Sequence, residues 1–149
     1  MKKFKFSLDT VLAFKRQEQD AVRAEHAAVL LQLRNQEEIL KEVQLKYKSY
    51  NEEFCQRKIV GLPITEARIY QSGLRVLEED IRRETEALEE LKKEEERKRE
   101  KVVEAKKETA TLENLRDKKL SSYNKAVQKS EEEFIEEFVA SSRANSHSA

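Results

Sequence analysis

Glycine and proline are nearly missing from this 149-residue chain, which has two of the first and one of the second. A β-sandwich or an α/β fold would lack its turns at that frequency. Cysteine occurs once, at Cys55, so no internal disulfide can form, which suits a reducing compartment. Net charge is missing as well, because 30 basic residues balance 30 acidic ones. That balance argues against a nucleic-acid partner, since phosphate neutralisation needs a basic excess. The longest apolar run, Ala27 to Leu31, falls far short of the about 20 residues that cross a bilayer. After Met1-Lys2-Lys3, Lys5 and Asp9 interrupt the chain before any signal-peptide core develops. A cytoplasmic chain with no transmembrane segment is expected.

What is present is helix-forming residues. Ala, Glu, Lys, Leu and Arg make up 84 of the 149, more than the roughly 50% that marks long helices and coiled coils. Leu, Ile, Val and Phe number 37, above the level of disordered chains but too few for a thick globular core. The composition describes a thin, all-α rod.

Residues 1 to 6 are short and basic, and leave Phe4 and Phe6 exposed. Ser7 is a candidate N-cap, with Asp9 in the first turn where it suits the helix dipole. From there no Gly or Pro occurs until Gly61. A 3-4 spacing runs Val22, His26, Val29, Leu33, Gln36, Leu40, Val43, Tyr47, Tyr50, Phe54, a sustained heptad seam. The segment 59–65 then holds Gly61 and Pro63 and reads as a turn, with Thr65 able to cap the next helix. A second seam runs Tyr70, Leu74, Leu77, Ile81, Glu84, Leu88, Leu91 and resumes with Val102, Ala105, Leu112, Leu115, Tyr123 and Val127. Gly73 sits inside this helix, either to let a partner approach the backbone or as an incidental surface residue. Between the two parts, residues 92 to 101 are all charged and read as a solvated stretch held by Glu–Lys pairs within the helix. The expected organisation is one hairpin, with helix one over 7–58, a turn over 59–65, helix two over 66–140 and a frayed polar tail over 141–149.

Two long helices joined by a short turn run antiparallel. With the turn near Gly61 to Pro63, Phe54 faces Tyr70, Leu40 falls near residue 84, His26 falls opposite Lys98 and Gln19 opposite Ala105. The polar interruptions of the two seams therefore coincide, which supports the hairpin. Helix one starts opposite about residue 117, so helix two overhangs by about 30 Å.

Catalysis needs a pocket that excludes water and gathers several groups, and a two-helix rod offers none. His26 and Cys55 are about 44 Å apart at helical rise, too far to share a nucleophilic or metal site. No phosphate-binding glycine loop and no metal-ligand motif occurs. No enzyme activity, cofactor, metal or small-molecule substrate is expected. His26 reads as a polar seam residue that fixes register.

Two apolar clusters exceed what the seam needs. Near the turn, Leu45, Tyr47, Tyr50 and Phe54 meet Tyr70, Leu74 and Leu77, and tyrosine supplies large contact area at low entropic cost. In the overhang, Phe134, Ile135, Phe138 and Val139 form a stripe among Glu131, Glu132, Glu133, Glu136 and Glu137, suited to another protein's groove.

The chain resembles the FliJ family, the small stalk proteins of the bacterial flagellar export apparatus. Phe4-Lys5-Phe6-Ser7-Leu8-Asp9-Thr10-Val11-Leu12 is similar to the family's N-terminal F-x-F-x-L-x-x-V/L-L signature. Gly61 matches a glycine in its mid-chain turn, and Leu112-Glu113-Asn114-Leu115-Arg116-Asp117-Lys118-Lys119 is similar to its L-E-x-L-x-x-K motif. The resemblance implies an antiparallel coiled-coil hairpin similar to a rotary-ATPase central shaft. Its partners would be the hexameric flagellar export ATPase, at the end bearing both termini, the cytosolic domain of the export gate, at the turn end, and export chaperones. The gate strip carries over to Gln36, Leu40, Val43 and Tyr47 on helix one and to Tyr70, Leu74, Leu77 and Ile81 on helix two. Val43 stands where the family has tyrosine, and Leu77 and Ile81 where it has Ala and His. Phe4, Phe6, Phe134, Ile135, Phe138 and Val139 are the candidates for ATPase binding. The implied place is the cytoplasmic face of the cell membrane at the flagellar base. The alternatives are a structural coiled-coil rod that dimerises in parallel, and the equivalent stalk of a virulence-type secretion system.

Overall fold

The computed structural model describes residues 2–147, and among these it contains two α-helices and no strand. Helix α1 spans Asp9–Val60 and helix α2 spans Ile64–His147. They pack against each other as an antiparallel helical hairpin joined by a three-residue turn.

The turn is narrower than the sequence led us to expect, for reasons of backbone chemistry. Gly61 adopts a φ of 109°, in the left-handed region, and its N–H donates to the Arg57 carbonyl at 3.0 Å. This is the helix-ending geometry that glycine tolerates without a Cβ penalty, so α1 runs on to Val60. Pro63, not Thr65, precedes the first helical residue of α2, and its carbonyl accepts the Ala67 N–H at 3.0 Å. A proline has no N–H to lose there, and its fixed φ suits a helix start. At the other end, Ser7 lies in a turn closed by the Asp9 N–H to the Phe6 carbonyl at 3.1 Å. The Leu8 carbonyl accepts the first helical bond, from Leu12 at 2.8 Å. Helix α2 continues to His147 with no fraying at residue 141, because no residue between them breaks a helix; the last two positions of the expected tail lie outside the described residues.

The chain divides into two compact units. One contains residues 21–103, the two helices around the turn. Every position of the helix-one seam from Val22 to Phe54 is buried or half-buried there. Val29, Phe54, Tyr70 and Leu88 are its buried apolar residues. Gln36 and Glu84, the polar gaps of the two seams, meet: the Gln36 amide donates to the Glu84 carbonyl at 3.1 Å and to its carboxylate at 2.5 Å. Glu84 thus faces Gln36, one helical turn from Leu40. The charged run is not wholly solvated, because Glu94, Glu95 and Lys98 are half-buried. His26 Nε2 lies 3.1 Å from Glu95, and Lys98 bridges to Glu25 at 3.0 Å. Pairs within the helix, such as Lys93–Glu90 at 3.3 Å, occupy its outer face.

The other unit contains the residues up to Asp20 together with those from Glu104 onward. Leu12, 2% exposed, and Phe6 are its buried apolar residues. Thr109 is buried as well, and its hydroxyl donates to the Lys15 carbonyl at 3.4 Å. After Leu112 the packed face of α2 runs through half-buried Arg116, Leu120, Tyr123 and Val127, and Leu115 is exposed. The 3-4 alternation therefore takes a four-residue step where the sequence suggested three. Lys15–Glu108 at 3.0 Å, Arg16–Glu113 at 3.3 Å and Arg116–Asp9 at 3.6 Å link the two helices here.

Candidate functional site

In the unit that contains the turn, rings gather around Tyr70. Phe54 stacks on it at 5.0 Å between centroids with planes 13° apart, and Tyr50 lies tilted at the same distance. The Tyr70 hydroxyl donates to Glu53 at 3.0 Å and accepts from Arg57 at 3.3 Å. That bond, with the Glu66 carboxylate beside it, holds the Arg57 guanidinium firmly protonated, above its usual range. Tyr47 donates to Glu78 at 3.3 Å, and partial burial followed by this bond pushes its phenol up. Gly73 has a physical reason: a Cβ there would stand 2.6 Å from the Tyr50 hydroxyl oxygen. The Tyr50 ring needs the bare backbone of α2 beneath it.

The expected gate strip is therefore largely a seam. Gln36, Leu40, Val43, Tyr47, Leu74, Leu77 and Ile81 are half-buried and Tyr70 is buried. Only the outer edges of these side chains are free to meet a partner. Beside them runs an open groove of about 600 Å³ lined by Glu42, Leu45, Lys46, Ser49, Tyr50, Glu53 and Leu77. Leu45 is 56% exposed, and Ile39, Ile69 and Val76 are exposed too. The heptad spacing passes over Ile39, Ile69 and Val76, whereas Leu45 already stood in the apolar cluster that the sequence places near the turn.

In the unit that contains the chain ends, Phe6 corrects the reading of an exposed N-terminal segment. It is buried within its own chain, and Phe4 is half-buried, its ring 5.6 Å from that of Tyr123 and with the Arg116 guanidinium over it, 5.6 Å from its centroid. The Tyr123 hydroxyl donates to the Lys2 carbonyl at 2.6 Å. The segment before α1 thus straps onto α2 as far as Tyr123, through the Phe4 ring and the Lys2 carbonyl, and burial of apolar side chains in that segment favours it. The unpartnered part of α2 accordingly begins beyond Val127 and not near residue 117. Every described residue after Val127 is exposed. Phe134, Ile135 and Phe138 are among them, as is Val139, and a shallow hollow lined by Ser130, Glu131, Phe134 and Ile135 lies along the stripe.

The strap before α1, both helices and the turn between them lie almost wholly within one family match. The family described as flagellar FliJ protein matches residues 4–148. The chain belongs to the FliJ family. It is accordingly a component of the flagellar export apparatus, a protein-transport role, and this family is not a known enzyme family. No curated protein and no solved structure matches the chain. Among the described residues, no helix is long and apolar enough to cross a membrane, and no three His, Cys, Asp or Glu residues are placed to hold a metal ion.

Proposed function

We propose that this FliJ-family chain is a non-enzymatic stalk that links the flagellar export ATPase ring to the cytosolic domain of the export gate. In this reading it works at the cytoplasmic face of the membrane, resembles a rotary-ATPase shaft in its role, and assists delivery of chaperone-bound substrates. The observation that carries the proposal is the stripe Phe134, Ile135, Phe138 and Val139, left exposed beyond the last seam residue of α2. An amphipathic helix with an empty apolar face suits a groove on another protein. Burying each such side chain would contribute about 1.5–3 kcal/mol before ordering costs. Phe4 adds its outer edge beside Tyr123, and Phe6, buried within its unit, belongs to the same end of the chain. The gate contact falls to the outer edges of Gln36, Leu40, Val43, Tyr47, Tyr70, Leu74, Leu77 and Ile81 with the adjoining Leu45–Tyr50 groove.

Truncation after Lys129 tests the ATPase half of this proposal. The expected result is a nearly unchanged thermal melt, because the removed residues are exposed, together with weaker binding to the purified export ATPase. Unchanged affinity would remove the stripe from the interface.

A further inference from the structure

The turn exposes aliphatic surface that neither seam nor the gate strip accounts for. Ile59 and Val60 end α1 and are 86% and 90% exposed, and Ile64 opens α2 at 71%. The backbone beneath them is fixed on both sides. Gly61 closes α1 through its bond to Arg57, and Pro63 starts α2 through its bond from Ala67. These side chains therefore stand on a preformed base, and a partner that covers them meets little ordering cost. Their rim is cationic. Arg57 is paired with Glu66 at 2.6 Å, whereas Lys58 and Arg68 have no ion pair among the described residues. Lys58 is held over the Phe54 ring, 3.9 Å from its centroid.

We propose that Ile59, Val60 and Ile64 form a rigid knob that seats in an apolar, carboxylate-rimmed pocket of a protein partner. Resting on the function proposed above, that partner is the cytosolic domain of the export gate. The charge pattern selects against the other occupants. A second copy of this turn would bring Lys58 and Arg68 against themselves, and like charges in contact oppose association. A bilayer is a poor match as well. Three aliphatic side chains offer less than a myristoyl chain, which alone gives only marginal membrane binding. Two cations also fall short of the roughly four to eight that mark lipid-binding clusters.

The experiment measures binding of the full chain to the purified gate cytosolic domain and, separately, to phosphatidylglycerol-containing vesicles. Three proteins are compared: wild type, Ile59→Ser/Val60→Ser/Ile64→Ser, and Lys58→Glu/Arg68→Glu. The triple variant keeps Gly61 and Pro63, and its helicity should match wild type because the replaced side chains are exposed. The expected result is a loss of about tenfold or more in gate affinity for both variants, with wild-type binding weakened by added salt. Wild-type affinity in both variants would overturn the knob and leave the gate reading standing. Loss of vesicle binding with unchanged gate binding would assign the knob to lipid and overturn the proposal. No gate binding by the wild-type chain would overturn both readings.

Discussion

Gly73 lies under the Tyr50 ring, whose hydroxyl reaches the Ile69 carbonyl at 3.5 Å. In a free helix, Gly→Ala would stabilise by up to about 1 kcal/mol. Here a Cβ would stand within 2.8 Å of three Tyr50 atoms, so the ring must leave its place beside Tyr70. Gly73→Ala is therefore expected to be neutral or destabilising in the wild type and stabilising in a Tyr50→Ala background. Thermal melts of the four proteins of this cycle check it, and equal effects in both backgrounds would refute the close approach. Phe6 gives a second prediction at this scale. As a buried residue of its unit, its replacement by Ala should lower the melting temperature, whereas a docking residue would leave it unchanged. The sequence could not separate these roles for Phe6, because no periodicity exists in a segment before the helix. Nor could it place Thr109, a polar residue whose burial depends on the Lys15 carbonyl across the seam.

The two helices were legible as elements, since 3-4 spacing over ten consecutive seam positions leaves few alternatives. Their ends were less so. Thr65 has a capping side chain, but Pro63 supplies the carbonyl that starts α2, and sequence alone does not rank the two. The charged stretch of α2 read as solvated because charge runs usually are, yet Glu95 and Lys98 keep seam positions by pairing with His26 and Glu25. Carboxylates paired within α2 respond to pH, both in this stretch and before it. The hydrogen bond from Arg97 holds the Glu94 carboxyl below its ordinary value of 4.5, and Arg82 does the same for Glu79. A depressed carboxyl pKa contributes stability that is fully present above 4.5 and is lost as pH falls through the lower folded value. At low salt, a Glu79→Gln/Glu94→Gln variant should therefore have lower helicity than wild type at neutral pH. The gap should close as the pH falls below 4.5. Circular dichroism across an acid titration reads the difference, and a gap independent of pH would show that these pairs contribute nothing.

For the whole molecule, composition argued for a thin helical rod, and the turn at Gly61 favoured a hairpin over a rod that dimerises in parallel. The signature around Phe4 to Leu12 pointed to the family that matches nearly the whole chain. The partner surfaces were less legible, because a seam residue and a docking residue are both apolar. Tyr70 and Leu74 satisfy either role in a heptad pattern, and only burial separates them from Leu45 or Ile59. A stalk must hold two partners at the same time. The most direct measurement mixes the purified export ATPase, the gate cytosolic domain and this chain, and determines the mass of the complexes formed by analytical ultracentrifugation. The expected result is a species containing all three proteins that disappears when the chain is left out. Separate complexes with the ATPase and with the gate, never both together, would contradict it.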